Sequence, residues 1–119
     1  MNKKSIMNEK IKREFISYLK EVEGATETTI DSYLRAINKY EEVTDFIGFS
    51  KFNKHTAIKF KEIIRGLERR GQPVSVLTIR TYLIHTSKYF KWLSFQPGYR
   101  NKINGNDVKY LKPSNLEEI

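Results

Sequence analysis

Residues 29–40 read TIDSYLRAINKY, and residues 78–89 read TIRTYLIHTSKY. Aligned without a gap, the two share Thr, Ile, Tyr, Leu, Lys and Tyr, six identities in twelve positions at an offset of 49 residues. Ser32 against Thr81 is a near-match. Each copy spaces its apolar letters by three and four, which puts those side chains on one face of an α-helix. The inner arc is Ile30, Tyr33, Leu34, Ile37 and Tyr40 in the first copy, and Ile79, Tyr82, Leu83, Thr86 and Tyr89 in the second. The repeat therefore predicts one packing code written on two helices. The outer arcs differ. The first carries Asp31, Ser32, Arg35, Asn38, Lys39 and Glu42, and the second Arg80, Thr81, Ile84, His85, Lys88 and Lys91.

Two further stretches have the same periodicity, and none shows sustained strand alternation. A first helix is expected from about Asn8 to Glu23, with Ile11, Phe15, Tyr18, Leu19 and Val22 inward, Asn8 as its cap and Gly24 as its stop. The first copy of the phrase extends to a second helix, about Thr28 to Phe46, capped by Thr26 and favoured by Glu27 at its positive end. A third is expected from Lys54 to Arg70, capped by Asn53 or Thr56. It buries Ala57, Phe60, Ile63, Ile64 and Leu67, and ends at Gly71 before Pro73. Gly66 inside it costs roughly 1 kcal/mol relative to Ala. The second copy extends to a fourth helix, about Ser75 to Phe95, capped by Ser75 and stopped by Pro97 and Gly98.

Short connections make helices one and two neighbours, and likewise three and four. The expected fold is an all-α bundle of four helices in two helical hairpins. Residues 1–97 form the helical domain, and residues 98–119, rich in Gly, Asn, Lys and Pro, read as a linker with short pieces near Val108–Leu111 and Asn115–Ile119.

The chain of 119 residues is one domain in size, and it has no cysteine, which removes disulfides, thiolate metal sites and cysteine nucleophiles. His55 and His85 form no ligand cluster, so neither a metal nor a cofactor is expected. No apolar run approaches the ~20 residues of a membrane span, and the N-terminus lacks the apolar core of a secretory signal. A cytoplasmic protein without membrane contact is the expectation.

Charge is unevenly placed. Residues 1–50 hold eight Lys/Arg against nine Asp/Glu, a net of −1, and residues 51–119 hold fourteen against five, a net of +9. No carboxylate occurs between Glu68 and Asp107. Arg80, His85, Lys88 and Lys91, with Arg65, Arg69 and Arg70 upstream, are expected to make a basic surface. Such a surface is either a solvated face or a footprint for a polyanion. Arg forks onto guanine or phosphate, Lys contacts phosphate, and Ser and Thr hold the backbone through hydroxyls. Helix starts offer amides to phosphates as well. Ile84 and Trp92 on or near the same face leave a second reading open, a helical protein–protein interaction module anchored by those two residues. No grouping of acid, base and nucleophile supports an enzyme.

Five motifs in order carry a family resemblance: Phe-x-x-Tyr-Leu at Phe15–Leu19, Thr-Ile-x-x-Tyr at Thr29–Tyr33, a helix closing in Gly71, Ser-x-x-Thr-Ile at Ser75–Ile79, and Tyr-Phe-x-Trp-Leu at Tyr89–Leu93. Over about residues 8–95 the chain resembles the core-binding, SAM-like N-terminal domain of tyrosine recombinases, the phage-type integrases. The resemblance implies an orthogonal four-helix bundle that forms half of a clamp on double-stranded DNA in integration and recombination. It implies DNA contacts from the second helix at Thr28, Thr29, Ser32, Arg35 and Lys39, and from the fourth at Ser75, Thr78, Arg80, Thr81, His85, Lys88 and Lys91. Asp31 and Glu42 depart from an all-basic groove face, which favours the fourth helix. The catalytic arginines, lysine, histidines and tyrosine of such a recombinase have no match here, so no catalytic residue is assigned. The chain then reads as a monomeric, nucleoid-associated fragment whose tail leads toward a catalytic domain and whose parent meets other protomers on DNA.

Overall fold

The computed structural model describes residues 3–113, with side chains from Ile6 onward. Four α-helices dominate it: α1 (Lys3–Glu21), α2 (Glu27–Val43), α3 (Lys54–Arg65) and α4 (Val76–Leu93). A 3-10 turn, Phe49–Lys51, joins α2 to α3, and a C-terminal 3-10 helix, Gly105–Leu111, follows α4. Three helix starts are built as their sequences predict. Thr26 Oγ1 accepts from the amide of Thr29, and Ser75 Oγ from that of Thr78. Asn53 and Thr56 form a reciprocal capping box. Each satisfies amides that a helix end leaves open.

The core is aromatic. Tyr40 lies between Phe60 and Phe90 at ring distances of 5.5 and 4.7 Å, and Phe52 stacks on Phe90 at 4.0 Å. Phe15 brings α1 onto this core edge-on to Tyr33 and Tyr89, 5.7 and 5.0 Å away. Such edge-to-face pairs add roughly 0.5–1.5 kcal/mol each beyond burial. The closest backbone packing joins α2 to α4, the two helices that carry the repeated phrase. The two copies of the phrase therefore pack against each other across one seam.

Several details correct the sequence reading. α1 already runs from Lys3, so Asn8 is not a cap but a buried latch. Its amide donates to Glu41 Oε2 and to the carbonyl of Ile47, and its Oδ1 accepts from the amide of Phe49. Beside it Lys12 Nζ reaches Glu41 Oε1 at 2.5 Å and Asn38 at 3.0 Å, an ion pair buried between α1 and α2. Val22, expected inward, is 69% exposed because α1 has ended at Glu21.

The third helix stops at Arg65 with Gly66 as its C-cap, and Ile63 faces solvent. A two-stranded hairpin follows, β1 (Glu68–Arg69) paired with β2 (Gln72–Pro73), where only helix and loop were expected. Its two-residue turn, Arg70–Gly71, holds φ at +55° and +79°. Two positive φ values in a two-residue loop match the twist of a hairpin and favour glycine. Gly71 therefore turns a hairpin and does not end a helix.

The segment after Pro97 has loop composition and still packs. Ile103, Val108 and Leu111 are buried in the main core, and the C-terminal 3-10 helix lies on α3 and α4. Lys61 Nζ donates to the carbonyl of Lys112. The short piece expected at Asn115–Ile119 lies outside the described residues.

Candidate nucleic-acid interface

Along the α2–α4 seam, outer-arc letters of the second copy meet Ser32 and Tyr33 of the first. His85 stacks on Tyr33 at 4.0 Å, and its Nδ1 lies 3.2 Å from Ser32 Oγ. Burial holds the His85 pKa below its ordinary 6.5, with the Ser32 contact opposing and the Lys88 charge assisting that shift. Lys88 Nζ is paired with Glu23 Oε1 at 2.6 Å and lies 5.7 Å over the Tyr33 ring. Tyr18 donates to the other Glu23 oxygen at 3.0 Å. The hydrogen bond from Lys88 lowers the Glu23 pKa, and the same contact raises that of Lys88. His85 and Lys88 are thus seam residues that fasten α1, α2 and α4, and the basic surface expected of helix four is not continuous.

Above that seam lies a cleft of about 280 Å³. Ser32 and Arg35 come from α2, and Leu77, Thr78, Thr81 and Tyr82 from α4. Arg69 enters from the hairpin. Two exposed guanidiniums thus flank three half-buried hydroxyls. Arg69 reaches this cleft only because the chain leaves α3 at Gly66 and folds back. A helix continued to Arg70 would carry it elsewhere, and that is why sequence periodicity placed it upstream of the site. Thr29 is structural, since its amide is taken by the Thr26 cap and its hydroxyl contacts that of Thr26, whereas Thr78, whose amide is capped by Ser75, also lines the cleft. Thr28 is exposed at the start of α2, and Lys39 pairs with Glu42 at 2.9 Å.

Arg80 and Lys91 face another way. They line a separate groove with Lys109 and Lys112. The sequence reading missed these two lysines, since linker composition hid the alternation of buried Val108 and Leu111 with exposed Lys109. Of the 12 expected DNA-contact residues, ten therefore divide among the cleft, the caps and seam, and this groove, and Thr28 and Lys39 lie outside all three.

Trp92, the other proposed protein anchor, fills the α1–α4 seam 5.1 Å from Phe15 and 6.0 Å from Tyr18. The tyrosines with shifted pKa values all move upward. Burial takes Tyr40 to about 12 and Tyr89 well above its ordinary value, and Tyr99 rises for the same reason. That is the direction opposite to an activated nucleophile. A cleft of about 550 Å³ between α1, Phe49 and Tyr99 shares no residue with either cationic site. Among the described residues no group of three His, Cys, Asp or Glu could hold a metal, and no helix is long and apolar enough to cross a membrane.

No curated protein and no solved structure gives a match to the chain. Residues 13–96 match the family model of the phage integrase N-terminal SAM-like domain, which covers α2, α3, α4, the hairpin and the C-terminal part of α1. With more than half of its length matched, the chain belongs to the family of phage integrase N-terminal SAM-like domains.

Proposed function

We propose that this chain is the DNA-binding part of a site-specific tyrosine recombinase and that it grips duplex DNA with the α2–α4 cleft. The observation that carries this is the convergence of Arg35, Arg69, Ser32, Thr78 and Thr81 from three elements, the middle of α2, the start of α4 and the hairpin. Guanidiniums fork onto phosphates or guanine edges, and hydroxyls fix the register. An orthogonal bundle presenting this cleft serves as half of a clamp, the other half being a catalytic domain reached through the chain beyond Leu111. Integration and recombination then proceed with further protomers on the same DNA. Of the residues proposed from sequence, Ser32, Arg35, Thr78 and Thr81 are the direct contacts, with Thr28 beside them. Thr29, Ser75, His85 and Lys88 support those contacts by holding the two helices in place.

The test is binding to a fluorescein-labelled duplex at low salt, followed by anisotropy. Arg35→Glu with Arg69→Glu is expected to weaken binding by more than tenfold while the helical circular dichroism is unchanged. The slope of log K against log salt should fall by about 2, one per lost phosphate contact. Unchanged affinity in that variant removes the cleft from the interface.

A further inference from the structure

The groove between α4 and the C-terminal 3-10 helix is not used by the reading above. Arg80, Ile84, Ser87 and Lys91 recur along α4 at steps of four, three and four, so they form one ridge. Lys109 and Lys112 stand on the opposite wall, and the space between is about 520 Å³. Four cations line it and no carboxylate does. Its floor is apolar. Ile84 is 37% exposed there, next to Val108 and Pro113. At 100° per residue this ridge sits roughly a quarter of a turn around α4 from the cleft of Leu77, Thr78 and Thr81, and the two share no lining residue.

Two polyanions suit four cations, and the floor chooses between them. A phosphodiester backbone gains nothing from an exposed isoleucine at the floor, whereas an apolar side chain does. A short peptide supplies one. An apolar side chain flanked by carboxylates satisfies floor and rim together, by burial at the centre and charge pairing at the edge. We propose that this groove docks an acidic segment of a partner protein. One apolar side chain of that segment seats against Ile84, and its carboxylates meet Arg80, Lys91, Lys109 and Lys112. The inference is independent of the DNA cleft, because the assay below contains no DNA in its first arm.

The probe is a fluorescein-labelled nine-residue peptide of leucines and glutamates, titrated with the whole chain at low salt. Binding is expected, and it should weaken at least tenfold in Ile84→Asp and in the pair Lys91→Glu with Lys109→Glu. All three positions are exposed, so the fold should persist, as circular dichroism checks. A matched peptide with lysines for glutamates should prefer the charge-reversed pair over the unaltered chain, a swap that mere unfolding cannot produce. No binding of the acidic peptide, or binding indifferent to these variants, overturns the proposal. So does a second arm in which the groove variants lose affinity for duplex DNA and leave peptide binding unchanged, since the groove then meets phosphates.

Discussion

The two copies of the phrase can be compared letter by letter. Tyr40 and Tyr89 occupy the same place and are both fully buried. The Tyr40 hydroxyl donates to Thr56 Oγ1 at 3.1 Å, whereas that of Tyr89 has no partner. Ile37 and Thr86 also correspond and are fully buried, yet the Thr86 hydroxyl is unpartnered. Leu83 is buried and Leu34 only half so. α4 is the central helix of the bundle, packed by α2, α3 and the C-terminal 3-10 helix, while α2 keeps one side toward solvent. A shared sequence pattern thus fixes which way a helix faces, and the surrounding elements decide how deep each letter lies.

The largest effects should come from the position just after the phrase. Phe90 packs on Tyr40 and stacks on Phe52, and Glu41 holds Lys12 and Asn8. Phe90→Ala should cost about 3–5 kcal/mol of unfolding free energy through a cavity in the aromatic core. Glu41→Ala should cost less, about 1–3 kcal/mol, because the Asn8 amide and the Lys12 ammonium lose a buried acceptor while Lys12 keeps Glu9 at 2.5 Å and Asn38 at 3.0 Å. Lys12→Met with Glu41→Leu separates the two causes. Urea unfolding should show that this pair recovers most of the loss, and a double variant as unstable as Glu41→Ala would refute the account of the ion pair.

The hydroxyls give a smaller effect of opposite sign in the two copies. Tyr40→Phe should destabilise by about 1 kcal/mol by removing a buried hydrogen bond. Tyr89→Phe and Thr86→Val should be neutral or stabilising by about 1 kcal/mol, because each deletes a buried donor that has no acceptor. Midpoints of thermal unfolding measure both. A fall in midpoint for Tyr89→Phe as large as for Tyr40→Phe would mean that the Tyr89 hydroxyl is bonded after all.

The smallest effect is on pH dependence, and it separates Ala36 from its counterpart His85. Burial lowers the His85 pKa below 6.5, so the unfolded chain binds a proton where the folded one does not. This contribution is complete above about pH 6.5 and is lost as pH falls from there toward the lowered folded value. Glu23, whose pKa is lowered by Lys88, adds a second loss in the same direction further down, below 4.5. Comparing denaturant midpoints at pH 7.5 and 5.5 should therefore show a decline that His85→Gln reduces. Equal declines in both proteins would exclude His85 as the source.

How far the sequence was legible follows from the kind of interaction. Helix identity, the caps at Thr26, Asn53 and Ser75, and the inner arcs are local or periodic features, and they were readable. Asn8, Lys12 and Glu41 were not, because a polar residue inside a helix looks solvent-facing until its partner across the bundle is known. The early end of α3 was obscured by Leu67, which continues the stripe and still packs on the core after the helix has stopped. For the site, the residue types were readable and their grouping was not. Periodicity shows that His85 and Lys88 lie off the core face of α4, but not that α2 and Glu23 cover them.

The central claim is that duplex DNA meets the α2–α4 cleft. An NMR titration of the chain with a short duplex at low salt tests it most directly. The account predicts the largest shifts at Thr28, Ser32, Arg35, Arg69, Thr78 and Thr81, all fading as salt is raised. Shifts centred instead on the 550 Å³ cleft of Met7, Phe49 and Tyr99, or no shift at any salt concentration, would contradict it.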